Sequence, residues 1–533
     1  MKTLQVLQKH RQTLIAMAVF VVLTGILFWG MRKQTQAFHF EDETDHVTMG
    51  WMMVKFHKTL YNDLSINHQP FPVLVGAVLA KFISFTTMFE LVDHIRFSMF
   101  LYAAFWGVLL TLRFRFKGII AYTFTYSLSY YFFALHVLAE SLAAPAVMMA
   151  LLMLTEYVFE KNKRPKITQT IDAVLASLAF ATLISTLLPL WPFVALAGIG
   201  ILGVFTKQQR IMLIAATSLL LLSLLFFFSP NDWFNETVVN NWLYFMPTAP
   251  KASIADWLSL LLFPFVSVLK PLDQLSQTLL FPLVVALLSL TWLGFSTKKI
   301  AKKNIAIALY VYLLLIMTNQ RVFTFPIAFY QGFHLFPFIA AFFSVFALII
   351  AKLFHNVKRL PVRSILVVVL AVLFVFNFSW AWKRVDKLNE YYVQYGTQDS
   401  YARMIEQFKS EGDTFLSGPN GFGYMNMRAN IPIAGRQLFH LPWAYSSPKL
   451  REEFHQLMAE NPPAFIYLLD DESGYHTELQ PILKQNYTEL IEDKHRTFLF
   501  LANTKVQNIT PEQQKYLDEK NFHFRTKEEV EIY

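Results

Sequence analysis

FHFEDETDHVTMGWMMVKFHKTLYNDLSINHQPFPVLVGAVLAKF, residues 38–82, is the stretch on which the reading of this chain turns. It follows an apolar run at 13–30 and precedes another that begins near Arg96. Four acids crowd its start, Glu41, Asp42, Glu43 and Asp45, next to His46. Val47, Trp51 and Val54 then recur close to helical spacing. Twenty-six residues after Asp42 comes His68-Gln69-Pro70-Phe71-Pro72, which leads into the apolar stretch 71–89. An acid-rich loop held between membrane-length apolar runs points to a polytopic helical membrane protein whose chemistry sits at one surface.

The rest of the 533 residues agrees, with 55% hydrophobic and 16% charged. Soluble domains are nearer to about 45–50% and 25%. Disordered, fibrous and disulfide-scaffold classes are excluded. With no cysteine there is no disulfide, thiolate metal site or cysteine nucleophile. Glycines number only 18, and no phosphate-cradling loop or Walker motif is present, which argues against a nucleotide-binding fold. The net charge of +9 is uneven: residues 383–533 hold 17 basic and 22 acidic side chains, residues 1–382 hold 29 and 15. Basic clusters between apolar spans mark cytoplasmic loops, so no nucleic-acid partner is inferred.

Spans are expected near 13–30, 96–112, 118–137, 141–159, 172–190, 191–205, 211–228, 278–296, 305–318, 333–353 and 363–382, eleven in all. With Lys2, Lys9 and Arg11 inside, loops 113–117, 160–171, 206–210, 297–304 and 354–363 fall inside, and each is basic. The pattern holds only if 71–89 and 257–269 lie along the outer interface instead of crossing. Twelve of the 15 acids of residues 1–382 then fall outside. The chain is expected to divide into a transmembrane catalytic domain, 1–382, and an extracytoplasmic α/β domain, 383–533. The first carries an outer loop at 32–95 and a second large one at 229–277. In the α/β domain, helices are expected at Thr397–Glu411 and Pro448–Asn461, and strands at Asp413–Leu416, Ala464–Leu469 and Thr497–Leu501. The first span reads as an uncleaved anchor, because Gln34-Thr35-Gln36-Ala37 is a poor cleavage site.

This order of features resembles the GT-C superfamily of polyprenyl-phosphate-sugar-dependent glycosyltransferases. Within it, the resemblance is to the family 39 protein mannosyltransferases and the bacterial enzymes that move aminoarabinose onto lipid A. Their D-E-x-x-(Y/H/F) motif is matched by Asp42, Glu43 and His46. Their H-K-P-P-like motif is matched by His68 and Pro70, with Gln69 where the family has Lys, and the Arg that starts the next span by Arg96. The resemblance implies transfer of a sugar from a polyprenyl-phosphate donor to a lipid, glycan or protein acceptor outside the cytoplasm. It implies one inverting displacement, with Asp42 as catalytic base and Glu43 beside it. The chemistry suits these residues: the lipid phosphate leaves without protonation, while the acceptor hydroxyl needs a carboxylate to take its proton. A hydrolase of aqueous glycans would want two carboxylates flanking the bond. No cofactor is required. A divalent cation is compatible with Asp42, Asp45 and His46, although no H-E-x-x-H or cysteine set is present.

Phosphate recognition needs fixed cations. Arg321, after the ninth span in an aromatic-rich outer loop, is the leading candidate, with Lys81 and Arg96 either as helpers or equally as interface anchors. A helix-end arginine snorkelling to the interface is the competing reading of Arg321. Glu140, at an outer turn, is expected with Asp45 as a second acidic site that orients the acceptor or a cationic group. The alternative is a buried, hydrogen-bonded glutamate. A solvated acidic loop is the competing reading of residues 41–45. At the level of the whole chain, a transporter or flippase of lipid-linked sugars and a non-catalytic envelope assembly protein remain open. The lack of an internal repeat and the gathering of acids in outer loops favour surface chemistry.

Overall fold

The structure is a computed structural model that describes residues 2–32, 41–129, 132–159, 165–245, 247, 333–334, 336–356, 360–382, 393–418, 423–440, 442–468, 474–493 and 495–526. In chain order its first helices are α1 (Lys2–Arg32), α2 (Glu41–Lys55), α3 (Pro70–Phe82), α4 (Met88–Phe114), α5 (Phe116–Ser127) and α6 (Ala139–Phe159). They are followed by α7 (Lys166–Thr186), α8 (Trp191–Val204), α9 (Lys207–Leu224), α10 (Pro230–Phe234), α11 (Phe336–Asn356) and α12 (Leu360–Trp382). Among the described residues, six helices are long and apolar enough to cross a membrane: α1, α4, α6, α7, α11 and α12. The expected spans 278–296 and 305–318, the interfacial stretch 257–269 and Arg321 lie outside the described residues.

Burial sorts these helices into an inner and an outer set. The whole apolar window of α6 is buried, whereas α12 is almost entirely exposed. Its Val367, Val368, Val372 and Phe376 present the aliphatic and aromatic surface that lipid tails solvate as well as protein does. The rings of Phe343 and Phe346 on α11 pack on Phe124 of α5, with centroids 5.5 and 5.4 Å apart. At one end of the bundle, Arg113 is ion-paired with Asp172 and Glu156, Lys117 Nζ lies 3.1 Å from Glu156, and the Tyr157 hydroxyl donates to Asp172 at 2.7 Å. Two of the few acids outside the outer loops thus serve as partners for the basic residues of loop 113–117, and they tie α4, α5, α6 and α7 together.

Three boundaries differ from the sequence reading. Helix α4 starts at Met88 and not at Arg96, because Thr87 and Glu90 form a reciprocal capping box. Arg96 therefore lies well inside the helix. The expected span 118–137 is not one helix: α5 stops at Ser127, and the described residues 132–137 are in turns and bends, with φ of 51° at Phe133. Phe132–Leu138 are all buried, a setting in which non-helical backbone is tolerated at membrane depth. In the stretch 71–89, α3 covers only 13 residues. That is about 20 Å, short of the roughly 30 Å of a hydrocarbon core. It lies along α2.

After α12 the chain forms an α/β domain. A five-stranded sheet has the order β1-β2-β4-β3-β5, made of β1 (Phe415–Ser417), β2 (Phe465–Tyr467), β3 (Tyr487–Glu492), β4 (His495–Ala502) and β5 (Phe522–Phe524). β1 and β2 are parallel and the other pairs antiparallel. Helices Val393–Phe408 and Pro448–Glu460 match the two expected from sequence, and β3 and β5 were not anticipated. The domain docks on the bundle where Asp399, held by Arg403 and Arg428, accepts the Met88 N–H at 3.0 Å. A carboxylate there also meets the positive end of the α4 dipole.

Candidate active site

The candidate site is built around the first two turns of α2. This helix starts at Glu41, so its acids sit at the end where the dipole favours negative charge. Two glycines set its neighbour. A Cβ on Gly50 would stand 2.2 Å from the Ala77 nitrogen, and one on Gly76 would stand 2.4 Å from the His46 carbonyl oxygen. Backbone therefore packs on backbone where α2 crosses α3, and α3 fixes the height of His46. Pro70 occupies the first turn of α3, where a missing N–H costs nothing. The Tyr61 hydroxyl donates to the His68 carbonyl at 2.8 Å, and the Trp233 indole N–H donates to Gln69 at 3.3 Å. The His68-Gln69-Pro70 segment thus shapes the entry to α3.

Glu43 is fully buried and ion-paired with Arg96 of α4, itself 2% exposed. The same carboxylate accepts the Val137 N–H at 3.0 Å. Tyr424, from helix Tyr424–Ala429 of the α/β domain, lies beside it. Burial first, then the Glu43 charge, raise the Tyr424 phenol pKa well above its usual value. Thr48 adds a second tie to that domain, donating to the Gly423 carbonyl at 3.1 Å.

His46 is 1% exposed, and its Nδ1 lies 2.7 Å from the Val137 carbonyl. A carbonyl only accepts, so Nδ1 carries the hydrogen and Nε2 keeps its lone pair. Nε2 has no hydrogen-bond partner among the described residues. Burial, and then His68, lower the His46 pKa to about 3, against the opposing pull of Val137, Asp42 and Glu140. The ring is neutral at ordinary pH. His68 meets it edge-on, with centroids 4.7 Å apart at 90°. Glu140, at the start of α6, is buried and lies 2.5 Å from Nδ1 of His334.

Asp42, His46, His68 and Glu140 therefore share one electrostatic neighbourhood, with Glu43 at its floor. Asp42 is half-buried. It lies three and four residues before Asp45 and His46, so the three share a face of α2. Lys81 is exposed in the last turn of α3. Arg96, expected on the donor phosphate, is instead engaged with Glu43, because an arginine buried at this depth needs a carboxylate. Among the described residues no three His, Asp or Glu side chains gather as a metal site would require. Sequence reasoning missed Val137, His334 and Tyr424. A signal existed for His334: a glutamate between apolar helices requires a partner, and Glu140 was such a residue.

No protein-family model and no curated protein matches the chain. Solved structures do. ArnT from Cupriavidus metallidurans bound to undecaprenyl phosphate matches with a TM-score of 0.54 at 12% identity, over 92% of this chain and 98% of that one. The apo form of the same protein gives 0.53 at 11% identity, over 93% and 99%. The Archaeoglobus fulgidus oligosaccharyltransferase tethered with an acceptor peptide gives 0.46 at 11% identity, over 91% and 73%. A likeness at this identity shows the fold alone, and this chain has the fold of ArnT.

Proposed function

We propose that this chain is a membrane glycosyltransferase. It moves a hexose or pentose from a polyprenyl-phosphate donor to a lipid, glycan or protein acceptor outside the cytoplasm, and Asp42 is its general base. The observation that carries the reading is the anchoring of α2. Arg96 and the Val137 N–H hold Glu43, and the Val137 carbonyl holds His46, so the half-buried Asp42, next to Glu43 in the same helix, is carried on an anchored turn. The likeness to ArnT bound to undecaprenyl phosphate supports the donor class.

In the reaction, Asp42 takes the acceptor hydroxyl proton as the oxygen bonds to the anomeric carbon. The bond from that carbon to the phosphate oxygen breaks on the opposite face, so the centre inverts. The phosphate leaves with its electron pair and needs no acid. Neutral His46 puts no positive charge beside Asp42. With Arg96 committed to Glu43, the phosphate falls to Lys81 and Arg321. Loop 32–95 and the α/β domain lie on the extracytoplasmic side in this reading, and Glu140 with Asp45 serves the acceptor.

The test uses purified protein in nanodiscs with short-chain polyprenyl-phosphate sugars and nucleotide sugars side by side, offered with lipid, glycan and peptide acceptors. Turnover of the lipid-linked sugars with inverted anomeric configuration is expected. A preference for nucleotide sugars overturns the donor, and retention overturns the single displacement.

A further inference from the structure

The α/β domain reaches the buried Glu43–Arg96 pair with two tyrosines. Tyr395, on helix Val393–Phe408, and Tyr424, on helix Tyr424–Ala429, are both fully buried, and both act electrostatically on Arg96. Around Tyr424 the domain and α2 touch closely. The Thr48 hydroxyl donates to the Gly423 carbonyl at 3.1 Å. A Cβ on Gly423 would stand 3.2 Å from the Thr44 Cβ, so the backbone just before Tyr424 rests on α2.

Two polar atoms at this contact are left over. Glu43 Oε1 accepts from Arg96 and from the Val137 N–H, whereas Glu43 Oε2 is buried without a hydrogen-bond partner among the described residues. The Tyr424 hydroxyl is buried and likewise lacks one. One of the two is an acceptor and the other a donor. After burial, the Glu43 charge is the largest influence on the Tyr424 phenol, so the pair stands within electrostatic reach although no well-formed bond joins it. A buried carboxylate oxygen and a buried phenol each cost stability while unpaired. A small shift of helix Tyr424–Ala429 toward α2 would satisfy both at once.

We infer that Tyr424 is a positioning residue: its hydroxyl donates to Glu43 Oε2, and through that bond the α/β domain sets the seat of α2. Asp42 adjoins Glu43 in the chain, so a tilt of the first turn of α2 moves the candidate base. This rests on the glycosyltransferase reading, which gives Asp42 its role, and adds the residue through which the α/β domain acts on it.

The test compares wild type, Tyr424→Phe, Glu43→Gln and the double variant as full chains in nanodiscs. Transfer is measured with a short-chain polyprenyl-phosphate sugar, and donor affinity by titration. Tyr424→Phe keeps the ring and removes only the hydroxyl. It is expected to lower kcat and kcat/KM together by about tenfold with donor affinity unchanged, because the lost contact serves the placement of the base. In the Glu43→Gln background the same change should cost less than about threefold, since a neutral amide gains less from a phenol than a carboxylate does. Unchanged kcat in Tyr424→Phe overturns the inference, as does an equal loss in both backgrounds or a loss confined to donor affinity. A measurement that needs neither turnover nor the Phe variant uses Tyr424 labelled with ¹³C at Cζ. Its resonance is expected to lie upfield in Glu43→Gln relative to wild type, where the carboxylate draws on the phenol proton, and an unmoved resonance overturns the contact. Should wild type turn over no lipid-linked sugar, the glycosyltransferase reading falls, and the Cζ resonance alone decides whether Tyr424 holds Glu43.

Discussion

Replacing Arg96 by methionine should cost about 3–5 kcal/mol of stability, the usual result of stranding one member of a buried ion pair. The burial supports the upper part of that range, because Arg96 is 2% exposed, Glu43 is fully buried, and solvent screening is slight. The Val137 N–H offers Glu43 one remaining partner at 3.0 Å, which is neutral and cannot replace the guanidinium. Glu43→Gln should cost less than Arg96→Met, since an amide oxygen still accepts from Val137. The double variant should cost clearly less than the sum of the two, with a coupling of about 1–3 kcal/mol. Unfolding of the three variants in mixed micelles provides the cycle. Additive costs, or single-variant losses under about 1 kcal/mol as for an exposed pair, would refute the pairing that fixes α2.

Asp42→Asn should lower turnover by about 10²–10⁴-fold while donor binding and unfolding stay unchanged, whereas Glu41→Gln should matter little; single-turnover assays beside donor titration read both. Gly76→Ala should destabilise by about 1–3 kcal/mol and impair turnover, because its Cβ meets the His46 carbonyl, while Gly25→Ala, whose Cβ meets nothing within 4 Å, should be silent. Stability should fall as pH drops below 6.5, since burial lowers His46 to about 3 and His440 to about 4. A depressed folded pKa contributes stability that is complete above the unfolded value and lost on acidification, at up to about 1.4 kcal/mol per pH unit for each ring. His440→Leu should flatten that slope between pH 6.5 and about 4 in acid-titrated unfolding.

Local features were legible in the sequence. Hydropathy located the apolar helices, and the charges of the loops indicated that 71–89 does not cross. The helical spacing of Val47, Trp51 and Val54 marked the helix that carries Asp42, Asp45 and His46. The break at Ser127 was not legible, because residues 118–137 are apolar throughout and hydropathy does not register where a buried chain leaves the helix. The sequence suggests Arg96 as a helper on the phosphate or an interface anchor. Composition cannot distinguish that from a cation already paired, and its partner is 53 positions away. Strands β3 and β5 escaped because Glu489 and Glu492 interrupt the apolar run of β3 and His523 that of β5, whereas the equally short β1 and β2 lie in more apolar stretches.

Where the chain abandons the helix after Ser127, it frees both backbone groups of Val137, and the site uses both: the N–H on Glu43 and the carbonyl on His46. Neither contact involves the valine side chain. The information for this part of the site is carried by the path of the chain and not by the identity of a residue. Exchanges at position 137 that fit the packing should leave the two contacts intact. Proline is the exception, since it alone lacks the N–H. Val137→Pro deletes the donor to Glu43 and spares the carbonyl that orients His46, a way to separate the two anchors of α2 that no side-chain truncation offers.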